Sequence, residues 1–199
     1  MADGIELVLI RHLPTAGNGL RQYIGWTDEP IVPVHVLPSA EQPSVVYGSD
    51  LLRARQTAAL LFPDAHYHPD AGFRECNFGV FEGKTYDQLE TNTLYRQWVD
   101  DPYNISPPGG ESMQQLEKRV IAAFLGLPPG ARIVTHGGPI RLLLARFAPE
   151  QREFWDFGVP HGSCHRLYWD SAAAWKEGER CMSYSAEKRT ADGDTSGNG

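Results

Sequence analysis

The sequence lacks several features, and each absence excludes something. No apolar run approaches the roughly 20 residues that span a bilayer, so no membrane-spanning helix is predicted. The start, Met1-Ala2-Asp3-Gly4, lacks the basic-then-apolar order of a secretory signal, which predicts a cytoplasmic protein. Cysteine is scarce: Cys76, Cys164 and Cys181 lie far apart and form no CxxC pair. Neither a disulfide framework nor a zinc knuckle is therefore expected. Positive charge is short as well. With 18 Lys and Arg against 25 Asp and Glu, the net charge of -7 argues against a nucleic-acid partner. A chain this acidic can handle an anion only by concentrating its few cations, so the placement of arginine is informative.

What is present reads as alternating strands and helices. Ile5 to Ile10 is a short, mostly apolar run that stops at Arg11-His12, as a buried strand would. Ser44 to Gly48 reads as a second strand. A helix over about Leu51 to Leu61 follows it, with Ser49 or Asp50 as its cap. Four prolines between residues 28 and 43 exclude a long helix there. A helix is predicted over about Tyr86 to Val99. Another runs from Glu111-Ser112 to about Leu125, with Leu116, Val120 and Phe124 on one face. Ala131 to Thr135 reads as a third strand, ending at His136 and leading through Gly137-Gly138-Pro139 into a helix of about Ile140 to Phe147. Cys164 to Trp169 reads as a late strand. From Glu187 the chain is Asp, Gly, Ser, Thr and Asn, and reads as a disordered tail. The expected organisation is a single α/β domain over residues 1–186, a three-layer α/β/α sandwich on a mostly parallel sheet.

In such sheets ligands collect beyond the carboxyl ends of the strands. Three predicted strands end there in reactive residues: Arg11-His12, Ser49-Asp50 with Arg53 just beyond, and His136. Arginine offers planar paired donors suited to phosphate oxygens. Arg55 falls on another helix face and reads as a surface residue. Gly137-Gly138 at a helix start adds backbone N–H groups for an anion. A neutral His12 imidazole could attack phosphorus while Arg11, Arg53 and a protonated His136 neutralise the equatorial oxygens, with no metal or cofactor. Glu75 and Glu82 are the carboxyls available to protonate the leaving oxygen. A two-histidine, one-carboxylate metal site of His12, His136 and Glu75 is the competing arrangement. The like charge of Arg11 and Arg53 opposes it.

These residues resemble the histidine phosphatase superfamily, which is phosphoglycerate mutase-like. Leu9-Ile10-Arg11-His12 followed by Thr15 is similar to its nucleophile motif, and Tyr23 to Pro30 to the loop that follows. Ser49 to Thr57 resembles the segment carrying the second arginine, Arg53. Phe73 to Gly79 resembles the general-acid segment, which puts that role on Glu75. Gly109 to Ser112 and Val134 to Gly138 complete the ordered set, over about residues 5 to 170.

The resemblance implies catalytic roles for His12, Arg11, Arg53, Glu75 and His136. It implies substrate or phosphate contacts at Thr15, Asn18, Gly25, Glu82 and Gly137. The irregular, aromatic segment at about 75–112 is expected to form a helical lid that roofs the site. Phe78 to Thr85, with an acid at Glu82, resembles the phosphatase branch that includes α-ribazole-5'-phosphate phosphatases. The implied activity is metal-independent hydrolysis of a small phosphorylated metabolite through a phosphohistidine. A phosphoglycerate mutase-type phosphotransferase is the alternative. The family usually has glycine after the nucleophile, where this chain has Leu13-Pro14. That departure motivates a third reading, a non-catalytic phospho-ligand-binding module.

Overall fold

The structure, a computed structural model, describes residues 4–36 and 38–188. Six strands form one sheet in the order β3-β2-β4-β1-β5-β6. They are β1 (Ile5–Arg11), β2 (Val45–Gly48), β3 (His66–Pro69), β4 (Arg132–Thr135), β5 (Ser163–Trp169) and β6 (Ser183–Lys188). The pairs β1–β4, β2–β4 and β2–β3 are parallel, while β5 runs antiparallel to both β1 and β6.

The apolar run of β1 is buried on both faces, and its alternation sorts the core. Leu7 and Leu9 enter one cluster, with Leu116, Val120 and Phe124 of α5 (Met113–Gly126) and Leu143 and Phe147 of α6 (Gly137–Phe147). Val8 and Ile10 enter another, with Ala54, Ala58 and Leu61 of α2 (Leu52–Leu61). Helices thus cover both faces of the sheet, as the three-layer reading requires.

Several boundaries differ from expectation. The predicted helix over Tyr86 to Val99 is two: α3 (Tyr86–Leu89) and α4 (Thr93–Asp100). Asn92 breaks it, because its side chain accepts from the N–H groups of Leu94 and Tyr95 and starts a new helix. Neither Ser49 nor Asp50 caps α2. The N-cap is Leu51, and the Leu52 N–H donates to Asp28 Oδ1 at 2.6 Å. Asp50 instead pairs both carboxylate oxygens with Arg74. Strand β6 is unforeseen, and it takes Glu187 and Lys188 from the expected tail, the rest of which lies outside the described residues. The predicted face of α5 is the buried one, and Arg55 on α2 is exposed as expected.

Candidate active site

Strand register brings the two histidines together. In the parallel β1–β4 pair Arg11 sits opposite Thr135, and the His12 N–H donates to the Thr135 carbonyl at 2.9 Å. The next residues are therefore His12 and His136, whose ring centroids lie 4.9 Å apart. Ser49, just past β2, donates its N–H to Val134, so the first turn of α2 delivers Arg53 to the same edge.

Each ring has a defined tautomer. His12 Nδ1 lies 2.7 Å from the Leu13 carbonyl, which can only accept, so Nδ1 carries the proton and Nε2 the lone pair. Burial, and then the charge of Arg53, hold the His12 pKa well below the usual histidine value, so the ring is neutral. Arg53 Nε–H donates to His136 Nδ1 at 3.2 Å. The neutral His136 ring therefore carries its proton on Nε2, which is buried and has no partner. The expectation of a protonated His136 is corrected here. Burial and the nearby Arg53 charge push its pKa well down, and Nδ1 is already occupied as an acceptor.

Arg53 is fully buried and Arg11 half-buried. Among the described residues neither makes an ion pair with a carboxylate. Arg53 donates instead to the carbonyls of Thr27 at 2.8 Å and Gly25 at 2.6 Å, and Arg11 to the carbonyl of Val159. Burial lowers the Arg11 pKa to about 10, which still leaves the guanidinium charged at neutral pH. Removing a cation from water costs several kcal/mol unless it is compensated. Neutral carbonyls solvate these two guanidinium groups directly, while the charge of Glu75 acts on both from a distance.

Glu75 stands on the other side. Its Oε2 accepts from the Gly138 N–H at 3.0 Å and its Oε1 from the Cys76 N–H at 2.9 Å. A Cβ at Gly138 would lie 2.2 Å from Glu75 Oε1, so this approach requires glycine. The segment is held from behind by Arg119, which donates to the carbonyls of Gly72, Arg74 and Glu75 and pairs with Glu111. Sequence reading missed Arg119. Its signal was an arginine on α5 eight positions after the acid of the Gly109-to-Ser112 motif.

Glu82, expected as a substrate contact, gathers a loop beside the site. Its carboxylate accepts five hydrogen bonds: from the N–H groups of Gly25, Trp26, Thr27 and Phe78, and from the Thr27 hydroxyl. The loop it gathers supplies the two carbonyls that hold Arg53. Gly25 belongs to that support, and a Cβ there would lie 1.9 Å from the Cys76 carbonyl oxygen. Thr15 is buried and forms a capping box with Asn18 around α1 (Ala16–Gly19), so its hydroxyl is engaged locally. Gly137 is buried at the start of α6, where a Cβ would lie 3.3 Å from Arg11 Cζ. Leu13 is buried, and its N–H donates to Thr57 Oγ1 at 2.9 Å. The Leu13-Pro14 departure therefore leaves the bond that sets the His12 tautomer in place.

Beside Glu75 and Gly138 opens a cavity of about 390 Å³. Its walls include Tyr86, Trp98, Val99, Phe154 and Trp155, and Arg141 is the one cation among its lining residues. The 75–112 segment thus supplies much of the wall. Tyr95 and Trp98 are also core, in a cluster with Phe81 and Leu89. Among the described residues no group of three His, Cys, Asp or Glu is arranged to hold a metal ion.

The sequence pattern of the Histidine phosphatase superfamily (branch 1) matches residues 7–176, and the chain belongs to that superfamily. Its relatives carry two kinds of name. A probable phosphoglycerate mutase GpmB of Salmonella choleraesuis (strain SC-B67) is 34% identical over 152 residues, which cover 67% of this chain and 70% of the relative. Among solved structures, the alpha-ribazole phosphatase from Shigella flexneri matches with a TM-score of 0.71 at 26% identity, covering 82% of this chain and 90% of that one. The phosphoglycerate mutase from Thermus thermophilus matches with a TM-score of 0.62 at 32% identity, covering 82% and 92%.

Proposed function

We propose that the chain is a metal-independent phosphomonoester hydrolase that acts on a small phosphorylated metabolite through a phosphohistidine on His12. The observation that carries this reading is the His12 ring itself: neutral, with its proton fixed on Nδ1, and next to the buried Arg53 and the half-buried Arg11, neither of which forms an ion pair with a carboxylate among the described residues.

In the first step the His12 Nε2 lone pair attacks phosphorus and the bond to the ester oxygen breaks. The leaving oxygen takes a proton from the Glu75 carboxyl. Arg11, Arg53 and the His136 Nε2–H hold the equatorial oxygens. Stabilisation of that kind is worth roughly 10²–10³ in rate per donor. In the second step water attacks the phosphohistidine, Glu75 accepts its proton, the P–N bond breaks, and phosphate leaves with His12 restored. Asn18 and Gly137 are assigned to the rim of the phosphoryl pocket.

The cavity beside Glu75 favours hydrolysis over mutase chemistry. A phosphoglycerate presents a carboxylate to its site, whereas this cavity is aromatic with Arg141 as its one lining cation. An apolar or aromatic leaving group suits it, and α-ribazole 5'-phosphate is of that kind. Resemblance to GpmB and to the Thermus thermophilus phosphoglycerate mutase supports the mutase reading. No nucleic-acid or membrane partner is proposed, in keeping with the net charge of -7 and with described helices too short or polar to cross a membrane. The cytoplasm is the proposed compartment, which suits three buried free cysteines.

The test is a product assay on aryl and nucleoside-like phosphomonoesters in parallel with 3-phosphoglycerate. Phosphate release from the aromatic esters is the expected result. Interconversion of 2- and 3-phosphoglycerate faster than any phosphate release would establish the mutase instead.

A further inference from the structure

A third histidine stands against the nucleophile. His161 lies in the loop between a short 3-10 turn at Phe154–Asp156 and β5. Its ring meets that of His12 edge-on, with centroids 5.2 Å apart and planes at 63°. The chain on both sides is tied to the end of β1. Arg11 donates to the Val159 carbonyl, and the Gly162 N–H donates to the Arg11 carbonyl at 3.1 Å. Gly162, at φ 73°, then turns the chain into β5. The ring is thus held by the same strand end that carries Arg11 and His12.

The His161 Nε2 is buried and has no hydrogen-bond partner. Five side-chain atoms among the described residues share that condition, and three of them belong to residues gathered around His12: Arg11 Nε next to it in the chain, and His136 Nε2 and His161 Nε2 on rings whose centroids lie 4.9 Å and 5.2 Å from its own. Buried polar groups are nearly always paired, so a cluster of three orphans at one place points to a shared partner with several acceptors. Backbone donors nearby are few. The Leu13 N–H is spent on Thr57, Pro14 has none, and the Gly138 N–H is spent on Glu75. Burial and the charges of Arg11 and Arg53 lower the His161 pKa to about 4, so at neutral pH the ring has one N–H to give and brings no charge.

We infer that His161 is a further catalytic residue, donating its Nε2–H to a non-bridging oxygen of the phosphoryl group as that group moves to and from His12. The inference rests on the phosphohistidine reading above. It also separates the roles of the adjacent rings: His12 presents a lone pair, and His161 and His136 present N–H groups.

The test compares His161→Phe, which keeps a flat ring against His12 but has no donor, with His161→Gln, which puts an amide N–H near the position of Nε2. Two readouts are taken: kcat/KM for p-nitrophenyl phosphate, and the affinity for orthovanadate measured by calorimetry. His161→Phe should lose roughly ten- to a hundred-fold in both, the worth of one hydrogen bond to a charged oxygen. His161→Gln should recover most of that loss. If His161→Phe stays within about twofold of wild type, the inference is overturned. Equal losses in the two variants also overturn it, because the ring would then serve only to pack against His12. His161→Leu is the donor-free variant if His161→Phe does not fold. Orthovanadate binding needs no turnover, so a wild type that binds it without hydrolysing esters would end the hydrolase reading while still testing His161. A wild type that does neither ends both.

Discussion

Arg53 donates from Nε to His136 Nδ1 at 3.2 Å, and with its other nitrogens to the carbonyls of Gly25 and Thr27. One fully buried guanidinium thus fixes the tautomer of a histidine and is itself fixed by a loop. Lysine is a point charge and cannot span the three partners. Arg53→Lys is expected to lower kcat/KM by about 10²–10³. Nitrogen NMR should find His136 protonated on Nε2 in the wild type and a mixture of tautomers in the variant. A single Nε2–H tautomer in both would separate the ring from Arg53.

Glu82 acts on the site through that same loop. Four backbone N–H groups and a hydroxyl converge on its two oxygens. A glutamine there would turn an N–H toward N–H groups. Glu82→Gln is expected to cost about 2 kcal/mol, the worth of a charged hydrogen bond plus an unpaired donor. For a chain of this size that corresponds to a fall in Tm of roughly 4–8 °C. KM for small esters should change less than Tm does. An unchanged Tm with a collapsed KM would restore Glu82 as a substrate contact.

Acid should weaken the fold from the site outward. His12, His136, His161 and His165 all have pKa values pushed below 6.5 in the folded chain, first by burial. His161 and His165 fall to about 4. Below pH 6.5 the unfolded chain takes up protons that the folded chain refuses, so unfolding is favoured as pH falls toward 4. Each such histidine contributes up to about 1.4 kcal/mol per pH unit in that window. Stability attributable to these rings should be flat above about pH 7. For the same reason the acid limb of kcat/KM assigned to His12 should fall below the ordinary histidine value. A limb centred at or above pH 6.5 would mean that the nucleophile is not the buried neutral ring.

The cavity makes its own prediction. Trp98 contributes both to the aromatic cluster and to the wall beside Glu75. Tyr86 and Trp155 are exposed at 49% and 76%, so they can be changed at little cost in stability. Replacing either with alanine should lower kcat/KM for aromatic esters several-fold and leave that for methyl phosphate nearly unchanged. Equal losses for both esters would place the leaving group elsewhere.

What sequence could show here followed from burial. β1 and β4 are buried runs that end abruptly at polar residues, so Arg11, His12 and His136 stood out, and register did the rest. The face of α5 was legible because Leu116, Val120 and Phe124 are all fully buried at helical spacing. The edges were not. β3 reads His-Tyr-His-Pro and is mostly exposed, and β6 is Ser-Tyr-Ser-Ala-Glu-Lys, so neither carries an apolar alternation. His161 comes from an aperiodic loop and is placed by two hydrogen bonds with Arg11, one from its guanidinium and one to its carbonyl, which no local pattern announces. Glu82 was visible as an acid in a motif, but its task depends on where the N–H groups of residues 25–27 point.

The claim on which the rest depends is that His12 carries the phosphoryl group. Acid-quench trapping with a phosphomonoester radiolabelled on phosphorus tests it directly, with wild type and His12→Ala compared in the presence of EDTA. The account predicts an acid-labile, base-stable label on the wild type, mapping to the peptide that contains His12 and missing from the variant. Turnover that proceeds with no trapped label, or a label that survives in His12→Ala, would contradict it.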